Sequence, residues 1–234
     1  METKREFNGK KIIFLSLLLS LPYILFLIPL VKKGNAEMYF LIPFILLGPL
    51  MFFLTAQSSK KFAQALEELG RQRNGIVKSK FMSAELYLRY ENFEYRLFLF
   101  SKGSRKNRQS FTGVELRAPL SEDFKISVYS ESIFSKIGKA LGMKEIFVNN
   151  SAFDETFMIS SNNELLARKF LSVDVQHAFM PLHKYSGAFN IDQDRLRLEC
   201  PGRITNIEVL RMLIDTFEVI LKQLSTMDLL RPLL

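Results

Sequence analysis

IIFLSLLLSLPYILFLIPLV, residues 12–31, and YFLIPFILLGPLMFFLTA, residues 39–56, contain no charged side chain, and only KKGNAEM, residues 32–38, separates them. A helix rising about 1.5 Å per residue needs roughly 20 apolar residues to cross a hydrocarbon core of about 30 Å. Both stretches reach that length, the second barely, so residues 1–58 read as a transmembrane helical hairpin with spans at about 12–31 and 39–56. A cleaved signal peptide would have a shorter apolar core and a small-residue cleavage site; the first stretch instead ends in Pro29-Leu30-Val31-Lys32-Lys33. Pro22, Pro29, Pro43, Gly48 and Pro49 would end a helix in water, but in lipid they are tolerated as kinks. Transport through the hairpin alone is disfavoured, since the spans offer only Ser16, Ser20, Tyr23, Tyr39 and Thr55 as polar side chains.

Basic residues set the orientation. Lys4, Arg5, Lys10 and Lys11 precede the first span, Lys60, Lys61, Arg71 and Arg73 follow the second, and the loop has Lys32 and Lys33. The larger counts lie on the side of both termini, which predicts a multi-pass protein of the cell (inner) membrane with both termini cytoplasmic. The single cysteine, Cys200, forms no internal disulfide, in keeping with a reducing compartment.

Past the hairpin, residues 57–117 hold 13 Lys or Arg against 6 Asp or Glu, whereas residues 118–234 hold 13 against 15. The basic excess therefore sits near the membrane. Residues 59–74 read as a short juxtamembrane basic helix with Phe62, Leu66 and Leu69 on one side. A solvated flank that fixes topology accounts for it; attraction to anionic lipid, about 1 kcal/mol per basic residue near a charged leaflet, is the sharper alternative. A second cluster, Lys102, Arg105, Lys106 and Arg108, falls in a hairpin loop too far along the chain to set topology, and is the candidate contact for anionic lipid or an acidic protein partner. Nucleic acid is not expected there, because no aromatics for base stacking interleave with the charges.

Residues 75–234 read as an α+β domain, large enough for its own core. Residues 84–90, 95–100, 113–117 and 124–129 alternate as strands of an antiparallel meander, with a turn at residues 91–94. A helix over Ser132–Leu141 and a short strand over Glu145–Val148 follow. Phe157 and Ile159 alternate, and Ser161 with Glu164 spells a capping box for the next helix. A short helix over Asp174–Leu182, a hairpin through Ile191–Leu198 and a long last helix complete the domain. In that helix Thr205 and Glu208 spell another capping box, and Leu210, Leu213, Ile214, Phe217, Ile220, Leu221 and Leu224 mark one face. Glu218 and Lys222 are spaced for an exposed ion pair.

Two spans before a domain carrying Phe153-Asp154-x-x-Phe157-x-Ile159-x-Ser161-x-Asn163, then Ala167-Arg168-x-x-Leu171, resemble a group of uncharacterised bacterial two-span membrane proteins with a C-terminal cytoplasmic α+β domain. The resemblance implies architecture and no activity. A second likeness, to membrane-anchored pleckstrin-homology-like modules, implies a lipid-surface sensor; such modules finish their sheet before one C-terminal helix, whereas here helices interrupt the strands.

Catalytic signatures are weak. His177 and His183 stand roughly 120° apart on a common helix, which disfavours a shared metal. Cys200 reads as a buried structural thiol, and Asp192, Asp194 and Glu199 lack the glycine and terminal carboxylate of a calcium loop. Ser58 with Lys61 has the spelling of a serine–lysine dyad without supporting motifs, and Gly138 to Lys144 lacks P-loop spacing. No cofactor is expected. The expectation is a membrane-anchored binding module, in a layout that also allows an oligomer. An enzyme acting on a membrane-proximal substrate is the other class, and it requires Cys200, His177 and an acid to converge.

Overall fold

The computed structural model describes residues 42–80, 83–104, 107–130, 145–192 and 194–230. The chain divides into two compact units, Met1–Phe62 and Ala63–Leu234. The first expected span and the helix expected at Ser132–Leu141 lie outside the described residues. So does Gly138 to Lys144.

In the first unit, described residues belong to the start of α1, a helix running Ile42–Gln72 that continues into the second unit. Ser59 Oγ donates to the Thr55 carbonyl at 2.9 Å. Among the described residues no helix is long and apolar enough to cross a membrane.

The second unit is α+β, built on a nine-stranded antiparallel sheet. Its strands are β1 (Ile76–Lys80), β2 (Ser83–Tyr90), β3 (Phe93–Lys102), β4 (Gln109–Arg117), β5 (Ile126–Ser130), β6 (Glu145–Ile146), β7 (Phe157–Ser161), β8 (Ala188–Asp192) and β9 (Arg195–Pro201). Their spatial order is β1-β2-β3-β4-β9-β8-β5-β7-β6. The expected meander thus holds for β2, β3 and β4 and then stops. The free edge of β4 is taken by β9, from Phe111 opposite Pro201 to Arg117 opposite Arg195. The chain leaving β4 is tied down by Ala118 N–H donating to Asp194 O at 2.9 Å, and it enters the sheet again as β5, beyond the β8–β9 hairpin. The first turn is tighter than expected: Tyr90 faces Phe93, and Glu91 takes the strained left-handed conformation at φ 50°.

Period-two alternation sends one set of side chains to a core face. Leu86, Leu88, Tyr95, Leu97, Val114, Leu116, Leu196, Leu198, Phe189, Ile126, Val128, Phe157 and Ile159 are all buried there. The helices α2 (Ser151–Asp154), α3 (Glu164–Phe170), α4 (Val173–Phe179) and α5 (Ile207–Thr226) contribute to the same core, with a 3-10 turn at Met180–Tyr185 after α4. Every apolar residue predicted for the long last helix is fully buried, and Phe217 packs its ring 5.5 Å from that of Tyr95. Leu66 and Leu69 of α1, in the second unit, are buried as well, and so is Phe62 at the end of the first.

Both capping boxes are corrected. Helix α3 is capped by Asn163, whose side chain accepts from Leu166 N, while Ser161 Oγ turns to the Lys125 carbonyl. Helix α5 is capped by Asn206, accepting from Glu208 N at 2.9 Å and Val209 N at 3.4 Å. In each case an asparagine with extended backbone sits directly before the first helical residue, where its short amide oxygen reaches the free N–H groups. The Glu218–Lys222 pair is corrected too. Glu218 accepts from Tyr95 Oη at 2.6 Å and from Arg73 at 3.1 Å, partners far away in sequence.

Candidate functional site

The face of the sheet opposite the core carries charge and aromatic rings. Because the strands are in register, Tyr87, Arg96, Glu115 and Arg197 stand side by side on β2, β3, β4 and β9. The Glu115 side chain is 1% exposed, yet it is ionised chemistry in a well-satisfied place. Arg96 Nη2 donates to one oxygen at 2.9 Å and Arg197 Nε to the other at 2.8 Å, with Arg117 at 3.6 Å. Burial alone would raise the Glu115 pKa, but the two arginines outweigh it and hold the carboxyl below its ordinary value. Arg96 also reaches Glu85, which accepts from Tyr87 Oη at 2.7 Å.

The cations are held by rings as well as by acids. The Arg96 guanidinium lies 4.2 Å from the Phe98 centroid and that of Arg197 lies 4.5 Å from Phe100. Phe98, Phe100 and Phe111 form a ladder with centroid separations of 5.2 and 5.6 Å. Gly113 makes room for it, because a Cβ there would stand 2.7 Å from Phe100 Cε1. A concavity of about 410 Å³ opens beside the cluster, lined by Tyr87, Glu94, Tyr95, Arg96, Glu115 and Arg117. Planar, ring-stacked guanidiniums match carboxylates and phosphates alike.

The basic cluster expected at 102–108 falls between β3 and β4, which pair antiparallel with Lys102 opposite Gln109. Lys102 ends β3 and bonds the nearly buried Glu199 on β9, with its ammonium over Phe100 and Phe111. Arg108 is exposed. Arg105 and Lys106 lie outside the described residues. The sequence shows no aromatic within this loop; the strands that carry it supply Phe100 and Phe111 beside Lys102.

The structure separates the catalytic candidates. Cys200 is buried on β9, its thiol pushed up to about 12 by burial and then by Glu199, a poor nucleophile. His177 is exposed on α4 and lines a groove with Val173, Asp174, Val219 and Lys222, without Cys200. His183 places Nδ1 3.1 Å from Ser130 Oγ and its ring edge-on to Phe157. Asp192 ends β8 and Asp194 lies in the β8–β9 turn, whereas Glu199 lies within β9 beside Lys102. Among the described residues no group of three His, Cys, Asp or Glu side chains is placed to hold a metal ion. The Phe153-Asp154-x-x-Phe157 segment is structural: both rings are buried, 4.9 Å apart, and the Asp154 carboxylate accepts from Val148 N and Asn150 N at 2.9 and 3.1 Å.

No protein-family model matches this chain, and no curated protein does. Among solved structures, the mycobacterial trehalose monomycolate transport factor A, TtfA, is similar to it with a TM-score of 0.47 at 9% identity, covering 74% of this chain and 98% of that one. A likeness at that level passes no activity or partner to this chain.

Proposed function

We propose that this chain is a membrane-anchored binding module, held in the inner membrane by the hairpin of residues 1–58 with both termini in the cytoplasm, whose α+β domain engages an acidic protein partner beside the bilayer. It belongs, in this reading, with the bacterial two-span proteins it resembles. The anchor is supported by two charge-free apolar stretches separated by only seven residues, 32–38. The observation that carries the binding role is the basic β3–β4 hairpin: Lys102, Arg105, Lys106 and Arg108 fall within seven residues, 102–108, without an acidic residue among them. It lies well beyond the positions that orient a span. The cations at its base are already engaged by carboxylates, Lys102 by Glu199 and Arg197 by Glu115, which supports an acidic protein segment as the partner.

The test is affinity capture of the full chain in mild detergent, followed by mass spectrometry. A specific acidic protein should accompany the wild type and be lost when Arg105, Lys106 and Arg108 are all replaced by Gln. Retention of that protein by the triple variant would remove the hairpin as the contact. Loss of binding to anionic vesicles, with no protein captured, would favour a lipid-surface sensor instead.

A further inference from the structure

The basic hairpin carries an acid of its own. Lys102 is 44% exposed and its ammonium bonds Oε1 of Glu199, a side chain only 5% exposed. The same ammonium lies 5.3 Å from the Phe111 centroid and 5.7 Å from that of Phe100. The other Glu199 oxygen, Oε2, is buried and has no hydrogen-bond partner among the described residues. This is a poor arrangement for stability alone. A buried carboxylate accepts up to about four hydrogen bonds, and a pair kept for structure fills them, as Glu115 does with two arginines. Across the sheet, Glu199 stands between Gly113 and Ala188, two positions that offer it no polar side chain.

We propose that Lys102, with the rings of Phe100 and Phe111 beneath it, is a seat for a carboxylate of the acidic partner segment, and that Glu199 fills this seat in the unbound chain as an internal competitor. The inference rests on the hairpin being the partner surface. The pair itself shows that the seat accepts a carboxylate, so an incoming acid competes with Glu199 for the Lys102 ammonium. Glu199 offsets the charge of Lys102 and so weakens the partner's hold. Gly103 keeps the turn that presents Lys102: its φ is 96°, and a Cβ there would meet Asn107 O at 2.3 Å. No covalent or proton-transfer step is involved.

The test measures binding of a labelled octaglutamate peptide to the full chain in nonionic detergent at low salt, by fluorescence anisotropy. Glu199→Gln should tighten binding at least fivefold. Glu155→Gln, an equal change of charge at an exposed position just before β7, far from β3 in the strand order, should change it less than twofold. Lys102→Met should weaken binding at least fivefold in the Glu199→Gln background and less than twofold in the wild type. If Lys102→Met does not fold in the wild type, where it strands a buried carboxylate, Phe111→Leu in the Glu199→Gln background replaces it and should weaken binding at least twofold. Equal effects of Glu199→Gln and Glu155→Gln, additive effects of the Lys102 and Glu199 changes, or a silent Phe111→Leu would each overturn the competitor while leaving the hairpin as a binding surface. Absence of octaglutamate binding in every variant would overturn the partner reading itself. Competition by glycerophosphoserine as strong as by octaglutamate would reassign the seat to a lipid headgroup and overturn its protein occupant.

Discussion

Replacing Glu115 by Gln removes the one acid that Arg96 and Arg197 share, and the cost follows from the geometry. Two charge-assisted hydrogen bonds, at 2.9 and 2.8 Å, are each worth about 1.5–3 kcal/mol in a buried setting. The guanidiniums are not fully buried: Arg96 is 31% exposed and Arg197 17%, so both regain water when the acid is lost. Halving the sum for that compensation leaves about 1.5–3 kcal/mol at pH 7. The sign of the pH dependence is fixed by the lowered pKa of Glu115. A carboxyl whose folded pKa lies below its unfolded value, about 4.3, stabilises the fold fully above that value and loses the contribution as pH falls through the folded pKa. The stability difference between wild type and Glu115→Gln should therefore be constant from about pH 8 to 5.5 and shrink below about pH 4. Urea unfolding followed by circular dichroism, on the full chain in detergent, gives the difference from the midpoints if the slope is unchanged. A difference under about 0.5 kcal/mol at pH 7, or one that does not shrink in acid, would refute the assigned ionic network.

Three further outcomes follow from the same structure. Phe217→Ala should cost about 3–5 kcal/mol in the same unfolding assay, since its ring is fully buried against Tyr95; a silent change would displace α5 from the core. Asn206→Ala should cost about 1 kcal/mol and Thr205→Ala less than about 0.5, and the reverse ranking would restore the capping box at Thr205. Cys200 should resist iodoacetamide at pH 8 in the folded chain and react fully in denaturant, because its buried thiol is held up to about 12; ready labelling under native conditions would contradict that burial.

What the sequence made legible was local. The last helix announced its buried face through apolar residues three and four apart, and the β8–β9 hairpin and the β3–β4 loop stand where alternation and turn residues placed them. Strand order was not legible, because nothing within 124–129 says that β9 and β8 will come between β4 and β5; that choice is made by pairing across about 80 residues of chain. Strand β1 was missed since Ile76-Val77-Lys78-Ser79-Lys80 has only two apolar residues, adjacent rather than alternating. The capping boxes misled because Ser161 and Thr205 satisfy the spelling while Asn163 and Asn206 hold the position. The candidate site was half visible. Lys102 stood out as part of a basic run, but its tie to Glu199 and the convergence of Arg96 and Arg197 on Glu115 depend on strand register, which joins residues distant in sequence.

The proposal stands or falls first on where the domain sits. Alkaline phosphatase, active only outside the cytoplasm, reports this when fused either between Gly34 and Asn35 or after Leu234 of the full chain. Activity at the loop fusion and silence at the C-terminal fusion are the predicted result, from the basic residues that flank both ends of the hairpin. The reverse pattern, or silence at both with the chain recovered free of membranes, would contradict the anchored cytoplasmic module.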